Sequence, residues 1–337
     1  MKHHLNTLYV TSQEAYLSKD GECVCVQPKE GTKRKFPIHN LGSLVLFGQV
    51  SCSPFLLGHC AENGVAVSWL TENGRFLASM HGPVSGNVLL RREQYRKSDD
   101  PPFTSQLARS FTIGKIYNCR TVLRRTARER PDQRLDDACE RLTHCLERLA
   151  AGVNIEIVRG LEGEAASVYF SVFDRLLTAR GFSFTGRSRR PPTDATNCLL
   201  SFLYTLLVHD VRGALEAVGL DPAVGYLHRD RPGRPSLALD MMEEFRPYMA
   251  DRLACTLINK GQVRAKGFRW QESGAVLMDD DTRKDVLVAW QARKKEEIEH
   301  QFLKERMPVG MLWHMQARLL AQHLRGDLDA YPPFVVR

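Results

Sequence analysis

The segment Asp99-Asp100-Pro101-Pro102 divides the sequence into two parts that carry different hydrophobic patterns. Paired prolines after charged residues mark a break between structural regions. Before the break, short β-prone runs alternate with turn signals, and after it apolar residues recur at helical spacing. The sequence therefore predicts a multidomain α+β protein. We expect a small β-rich N-terminal domain over residues 1–97, a linker over residues 98–104 and a larger all-α domain over residues 105–337.

The N-terminal part carries the local signals of hairpins and of one short helix. Asp20-Gly21 and Asn73-Gly74 each lie between two β-prone runs, and such dipeptides favour the tight turns of β-hairpins. Ser53-Pro54 is typical of a helix start, and Asn63-Gly64 of a helix end. The apolar run at residues 44–47 predicts a buried strand. These signals together indicate a small β-domain.

Helical periodicity dominates the C-terminal part. Residues 107–128 are expected to form a basic helix, and residues 161–177 follow the i, i+3, i+4 pattern of an amphipathic helix. Residues 197–208 are almost wholly apolar, which predicts a buried helix. Further helices are expected over residues 135–149, 237–257, 283–302 and 309–324.

Composition excludes several classes of protein. The chain has 337 residues, of which 43% are hydrophobic and 26% charged, so we expect a folded protein of about two domains. No apolar stretch approaches the roughly 18 residues of a membrane span, and no membrane partner is expected. The nine cysteines are scattered without a C-x-x-C pair, which argues against a disulfide framework or a zinc ribbon. A reducing, cytoplasmic location fits this usage best.

Basic residues are concentrated in two clusters on a chain whose net charge is +8. Residues 105–130 contain seven basic residues and one acid, and residues 187–190 contain three arginines. A solvated face explains any one such cluster, but two clusters in a basic chain favour contacts with phosphate groups. The candidates for these contacts are Arg124, Arg125, Arg128, Arg187, Arg189 and Arg190.

Three places hold polar residues that suit chemistry. Glu162 lies between two glycines at the start of an amphipathic pattern, and His228 precedes a charged loop rich in proline and glycine. Asp240, Glu243 and Glu244 are spaced so that one helix face presents up to three carboxylates. Each has an ordinary explanation: an acid stabilised by the helix dipole, a surface histidine and a solvated acidic face.

Considered together, these groups support a second hypothesis. Two carboxylates and one imidazole suit an octahedral divalent ion that keeps open positions for water and phosphate oxygens. Such an ion supports phosphodiester chemistry. Residues 266–270, where Phe268 lies between basic residues, are compatible with either a base-stacking surface or a packed turn.

Five strings occur in a fixed order along the chain. They are RGLEGEAA (residues 159–166), FTGRSRRPPTD (184–194), NCLLSFLY (197–204), GYLH (225–228) and SLALDMMEEFRP (236–247). Together they resemble the CRISPR-associated endonuclease/integrase family of the spacer-acquisition (adaptation) module. The resemblance extends over nearly the whole chain, and it is strongest to the branch found in type I systems of subtype C.

The resemblance implies a β-domain that dimerises and a helical catalytic domain that holds Mg²⁺ or Mn²⁺. Glu162, His228 and Glu243 match the metal ligands of the family. Asp240 matches a family aspartate that supports the site or also ligates the ion, and Glu244 stays open as an alternative. Cys198 departs from the pattern, which has alanine there, and the exchange of one small residue for another casts little doubt on the site.

The implied activity is insertion of foreign DNA fragments as new spacers into a CRISPR array, in adaptive antiviral defence. A 3′-hydroxyl of the fragment would attack a phosphodiester, and the two arginine clusters would contact DNA. The implied partners are double-stranded DNA (captured fragment and CRISPR repeat), a second copy of the chain and a small adaptation partner protein. Two alternatives stay open: a non-catalytic DNA-binding scaffold, and a metal-independent helical enzyme acting on a small anion.

Overall fold

The computed structural model describes residues 6–80, 82, 87–151 and 154–336. The chain divides into two units. The β-rich unit comprises Met1–Gly86, Leu287–Glu296 and Pro308–Met311, and the helical unit comprises Asn87–Val286, Glu297–Met307 and Leu312–Arg337. A β-rich N-terminal region is thus followed by a helical region, as predicted. The division after residue 86 differs from the expected boundary at residue 97.

Residues 6–80 form two four-stranded sheets. One has the strand order β1-β5-β7-β8, in which only the last pair is antiparallel, and the other has the order β4-β3-β2-β6, in which only the last pair is parallel. The strands are β1 (Thr7–Val10), β2 (Tyr16–Asp20), β3 (Cys23–Gln27), β4 (Arg34–Pro37), β5 (Ser43–Phe47), β6 (Ser51–Cys52), β7 (Ala66–Leu70) and β8 (Phe76–Met80).

The local signals of this region are confirmed. β2 pairs with β3 and β7 pairs with β8 as antiparallel hairpins. Gly74 adopts φ +87° in the second turn, a conformation that glycine reaches without steric cost. Helix α1 (Pro54–Glu62) begins where Ser53 Oγ accepts a hydrogen bond from the Leu56 amide at 3.2 Å. Every residue of β5 is buried.

The helical unit consists mainly of helices that follow the predicted periodicity. The predicted linker 98–104 differs from the structure, because only Asp99 and Asp100 separate two helices. Pro101 and Pro102 begin the second of these helices, where the missing proline N–H groups need no partner. The helices after α1 are α2 (Val88–Ser98), α3 (Pro101–Glu129), α4 (Gln133–Ala150), α5 (Ile155–Ser171), α6 (Ala195–Ala217), α7 (Ser236–Met242), α8 (Arg252–Asn259), α9 (Asp280–Lys295) and α10 (Leu312–Arg325). Residues 287–295 of α9 belong to the β-rich unit.

The prediction that residues 105–337 are all α-helical is wrong at two places. Two hairpins interrupt the helices, and the predicted helix 283–302 ends at Lys295 because residues 297–300 pair as a strand. Backbone pairing across a hairpin satisfies the same N–H and C=O groups that a helix would satisfy. The strands are β9 (Phe268–Trp270), β10 (Val276–Met278), β11 (Glu297–His300) and β12 (Glu305–Pro308).

Helix α6 is, by length and composition alone, long and apolar enough to cross a membrane, and 67% of its most apolar stretch is buried. The core helix of a folded protein has the same features. Asn197, Leu203 and Leu207 on α6 are buried, as predicted for residues 197–208. This helix supports the elements that carry the site.

Candidate active site

The site is centred on Lys115, a buried residue of α3 whose ammonium contacts two carboxylates. Its Nζ atom contacts Oε1 of Glu162 on α5 and lies 2.7 Å from Oε2 of Glu243, which follows α7. The Glu243 side chain is 2% exposed, whereas that of Glu162 is 27% exposed. One cation therefore joins two carboxylates from separate elements, and one of the two faces solvent.

Glu162 lies in the middle of its helix rather than at the start. Helix α5 begins at Ile155 after the cap Asn154, which places Glu162 about two turns into the helix. The helix-dipole explanation for an acid in a first turn therefore does not apply. Glu162 instead points to Lys115, which the sequence pattern did not indicate.

Glu243 is placed by a break in the predicted helix 237–257. α7 ends at Met242, and a π-helical turn over Arg246–Asp251 precedes α8. Pro247 lacks an amide hydrogen and so disfavours a regular continuation of α7. The turn brings Arg246 Nη1 to 2.6 Å from Oε1 of Glu243. Glu243 thus has a cation on each carboxylate oxygen.

The charges of Lys115, Glu162, Glu243 and Arg246 stabilise one another. Burial alone would raise the pKa of Glu243, but Arg246 and Lys115 outweigh it and lower that pKa. Burial alone would lower the pKa of Lys115, but Glu243 and Glu162 outweigh it and raise that pKa. Both directions describe a buried group of ion pairs. A protonated His228 would lower the pKa of Glu243 further.

Asp240 holds the loop that carries His228. Its fully buried carboxylate accepts hydrogen bonds from the amides of Tyr226 (2.6 Å), Leu227 (2.9 Å) and His228 (2.8 Å). It also contacts Nδ1 of His228 at 2.6 Å. Because a carboxylate only accepts, Nδ1 carries a proton, and in the neutral imidazole the lone pair is then on Nε2. Asp240 therefore orients the imidazole so that Nε2 is the nitrogen that could coordinate a cation.

The side chain of Glu244 has different partners from that of Glu243. Its buried carboxylate accepts hydrogen bonds from the Tyr331 hydroxyl, the Phe334 amide and the Gln316 side chain. Burial raises the pKa of Glu244 to about 8, against the effect of these hydrogen bonds. In the part of the chain that the structure describes, no ion pair joins Glu244 to Lys115. Its contacts anchor the C-terminal segment.

The sequence pattern assigned no role in the site to four residues of this network, which are Lys115, Tyr204, Arg246 and Asp251. Arg246 packs over the Tyr204 ring at 4.9 Å, and the Tyr204 hydroxyl donates to Asp251 at 2.6 Å. Burial raises the pKa of Asp251 to about 6. The i, i+3 spacing of Glu243 and Arg246 was a readable signal, whereas Lys115 appeared only as one member of a basic cluster. The arrangement is a polar, charged centre inside a helical unit.

Comparison with known proteins identifies the family. The family model described as CRISPR associated protein Cas1 matches residues 8–292. The chain belongs to the Cas1 family. It is 59% identical over 343 residues to the CRISPR-associated endonuclease Cas1 1 of Chlorobaculum tepidum, and the match covers 100% of both chains. Family and relative indicate a CRISPR-associated endonuclease.

Two solved structures share the fold of this Cas1-family chain. A casposase bound to integration product has a TM-score of 0.85 and 21% identity, over 97% of this chain and 93% of that one. A Cas6-RT-Cas1–Cas2 complex has a TM-score of 0.81 and 23% identity, over 98% of this chain and 36% of that one. At these identities the likeness concerns the fold.

In this Cas1-family chain, the kinds of donor atom on Glu162, Glu243 and His228 suit a divalent cation. Glu162 and Glu243 already share the Lys115 ammonium. Asp240 contacts Nδ1 of His228 and leaves Nε2 available, and metal-binding histidines are commonly held by a carboxylate in this way. Among residues 6–80, 82, 87–151 and 154–336, no three His, Cys, Asp or Glu side chains are gathered tightly enough to hold an ion. The Lys115 ammonium lies between the two carboxylates instead.

The predicted DNA-contact arginines differ in their surroundings. Arg124, Arg125 and Arg128 are exposed on α3, although Arg125 pairs with Glu129 at 3.3 Å. Arg124 lines an open groove together with the acids Asp136, Glu140 and Glu147 of α4. These acids compete with phosphate for the same guanidinium.

The second cluster is divided between interior and surface. Arg187 is half-buried and donates to Asn197 Oδ1 (2.7 Å) and Ser201 Oγ (3.1 Å). Arg189 and Arg190 are exposed, and neither has an ion pair within the described residues. Arg187 therefore holds its loop in place, and its two neighbours carry the accessible charge.

Proposed function

We propose that this chain is a metal-dependent DNA endonuclease/integrase that inserts foreign DNA fragments into a CRISPR array by 3′-hydroxyl attack on a phosphodiester. The observation that carries the proposal is the pair of carboxylates, Glu162 and Glu243, that converge on one cation beside an oriented His228. A scaffold has no need of a solvent-facing carboxylate, Glu162, that shares its cation with the buried Glu243. The family membership supports the same activity.

The residues divide into those that would hold Mg²⁺ or Mn²⁺ and those that position them. Glu162, Glu243 and His228 would hold the ion, which when bound supplies a Lewis acid that lowers the pKa of a hydroxyl and neutralises phosphate charge. Arg246 fixes Glu243 through Oε1, and Asp240 fixes the tautomer of His228. Lys115 and Arg246 provide positive charge close to the place where an anionic phosphate would lie.

The partners follow from the family and from the surface charge. We expect double-stranded DNA as the substrate, because casposase and Cas1–Cas2 structures share this fold. A homodimer through residues 1–97 and a Cas2-type adaptation protein complete the proposed assembly. We also propose membership of the type I, subtype C branch and a cytoplasmic location, consistent with nine free cysteines.

The experiment that tests this function is an integration assay with the partner protein, a short DNA fragment and a CRISPR repeat, with and without EDTA. We expect joining only when a divalent ion is available, and cutting of branched DNA by the same site. A scaffold would bind the DNA with equal affinity in EDTA and would join nothing. A small-anion enzyme would show neither DNA binding nor joining.

Asp240→Asn is expected to lower the joining rate about 10- to 100-fold, which is the usual effect of losing the group that orients a metal-binding histidine. The asparagine keeps the size of the side chain, although its amide nitrogen cannot accept the hydrogen bonds that the carboxylate accepts. The measurement is the joining rate across a Mn²⁺ titration. Raised Mn²⁺ should recover part of the loss, and a normal rate at low Mn²⁺ would contradict the positioning role.

Replacing Arg124, Arg125 and Arg128 together by alanine is expected to flatten the dependence of log affinity on log salt. Each lost phosphate contact reduces the slope by about one unit. The measurement is the dissociation constant for a duplex at several salt concentrations, with the Arg189/Arg190 double variant alongside. An unchanged slope in the triple variant, with a reduced slope in the double variant, would place the contacts in the second cluster.

A further inference from the structure

The C-terminal strap, residues 331–336, is bound by the middle of α3. The buried Asn118 side chain pairs with the strap backbone much as a neighbouring strand would. Its Nδ2 donates to the carbonyl of Phe334 at 2.9 Å, and its Oδ1 accepts from the amide of Val336 at 2.8 Å. Phe334 is itself buried. The strap therefore belongs to the interior of the helical unit.

Glu244 is held at both its main chain and its side chain by Asn118 and the C-terminal strap. Nδ2 of Asn118 also donates to the carbonyl of Glu244, at 2.7 Å. The Glu244 carboxylate accepts hydrogen bonds from the Tyr331 hydroxyl and the Phe334 amide. Because Glu244 directly follows Glu243 in the chain, these contacts fix the backbone from which the Glu243 side chain extends.

Gly114, the residue before Lys115, allows α3 to approach both Glu244 and the C-terminal strap closely. A methyl group on Gly114 would lie 2.9 Å from Cβ of Glu244 and 3.0 Å from Cβ of Pro333. Both distances are shorter than the roughly 3.5–4.0 Å of an ordinary contact between carbon atoms. Glycine destabilises the interior of a helix relative to alanine, and this close packing is the physical reason for glycine here.

Helix α10 also holds the strap, through Gln316. The amide of Leu303 donates to Nδ1 of His300 at 3.3 Å, so the proton of the neutral imidazole is on Nε2. That Nε2 donates to Oε1 of Gln316 at 2.9 Å and so fixes the orientation of the amide. Nε2 of Gln316 then donates to the Tyr331 hydroxyl at 2.7 Å and to the Pro332 carbonyl at 2.9 Å. A buried network whose donors meet acceptors in this way specifies one arrangement of the strap.

We propose that the C-terminal strap and Asn118 position Glu243 opposite Lys115, at the place where the divalent ion would bind. Lys115 and Asn118 lie one turn apart on α3, so the contacts that hold α3 against Glu244 also set where the Glu243 carboxylate meets the Lys115 ammonium. Groups that hold a metal ligand in place strongly affect the affinity for the metal. This inference deepens the proposed function and rests on it for the identity of the ion.

The first test measures the Mn²⁺ dissociation constants of full-length variants from the electron paramagnetic resonance signal of the free ion. We expect Asn118→Ala to weaken Mn²⁺ binding about 10- to 100-fold. Gly114→Ala should also weaken it, because the added methyl group separates α3 from Glu244 without removing a hydrogen bond. Leu142→Ala is the control: it removes a buried side chain of α4 and lowers the melting temperature, but Mn²⁺ affinity should stay at the wild-type value.

Wild-type Mn²⁺ affinity in Asn118→Ala overturns the inference. An equal loss of affinity in Leu142→Ala also overturns it, because Mn²⁺ binding would then follow general stability rather than the placement of Glu243. Glu162→Gln is measured alongside and separates this inference from the proposed function. If Glu162→Gln binds Mn²⁺ as the wild type does, the ion lies elsewhere and the proposed function fails, and the second test then decides the inference.

The second test needs no metal. Tyr331→Phe removes only the hydroxyl that donates to Glu244 and Gln316 accepts no new charge. In EDTA, we expect the fall in melting temperature caused by Tyr331→Phe to be smaller in a Lys115→Met background than in the wild type. The reason is that Glu243 has then lost the ammonium opposite which the strap positions it, so the two changes are not additive. Equal falls in both backgrounds overturn the inference, whether or not Mn²⁺ binds.

Discussion

Glu162→Gln is expected to reduce strand joining by more than about a hundredfold while the protein stays folded. The change removes the charge of the partly exposed carboxylate that shares a cation with Glu243. The remaining ligands would hold a divalent ion weakly or in a distorted position. The measurements are the joining rate at saturating Mn²⁺ and the circular dichroism of the variant.

Glu164→Gln is the matched control for this change. Glu164 lies on the same helix and pairs with Arg148 at 2.9 Å, with 41% of its side chain exposed. We expect near-normal joining in Glu164→Gln, because an exposed ion pair contributes little. Full activity in Glu162→Gln would remove this residue from the site and would redirect attention to His228 and Glu243.

Variants of the other two proposed ligands, His228 and Glu243, are harder to interpret. His228→Ala and Glu243→Ala are also expected to abolish joining. Glu243, however, is the shared partner of the buried Lys115 and of Arg246, whose side chain is 15% exposed. Its loss leaves both cations without that carboxylate, so a fall in stability should accompany the fall in activity. No comparable fall in stability is expected in Glu162→Gln.

Lys115→Met is expected to destabilise the metal-free protein by about 3 kcal/mol. The change leaves Glu162 and Glu243 close together without the cation between them, although Arg246 still pairs with Glu243. A divalent ion that binds the folded state adds stability by mass action. Mn²⁺ should therefore raise the melting temperature more in Lys115→Met than in wild type, where the ammonium competes for the same oxygens.

Thermal denaturation in EDTA and in Mn²⁺ checks this expectation. Lys260→Met is the control, because Lys260 is exposed and its replacement should change neither stability nor the response to Mn²⁺. Equal Mn²⁺ responses in wild type and Lys115→Met would show that the ion binds away from these carboxylates. Unchanged stability in EDTA would show that Lys115 does not hold them together.

Much of the fold could be predicted from short-range signals. Asn73-Gly74 specifies a turn whatever surrounds it, and Ser53 caps α1 through its own neighbouring amides. Pro101 and Pro102 were interpreted as a linker, although the same residues are favourable at the start of a helix. The helix predicted over residues 283–302 and the all-α character of the C-terminal part were wrong, because hairpin pairing competes for the same backbone groups.

Local sequence patterns did not predict which side chains of the candidate site contact one another. The residue types and the family resemblance indicated Glu162, His228, Asp240 and Glu243, and they left Glu244 open. Neighbouring residues of a helical turn point about 100° apart, so Glu243 and Glu244 necessarily face different surroundings. Which of them meets Lys115 depends on how α3 and α7 pack, and no spacing in the sequence contains that information.

The sequence by itself determined the family, the order of β-rich and helical regions and the residues that carry acid and imidazole groups. Only the tertiary structure decided that Lys115 joins Glu162 to Glu243, that Asp240 is fully engaged by the His228 loop, and that Trp270 rather than Phe268 is exposed. The physical reason is that charge pairing and burial depend on groups distant in the chain. Turns, caps and helical periods depend on groups a few residues apart.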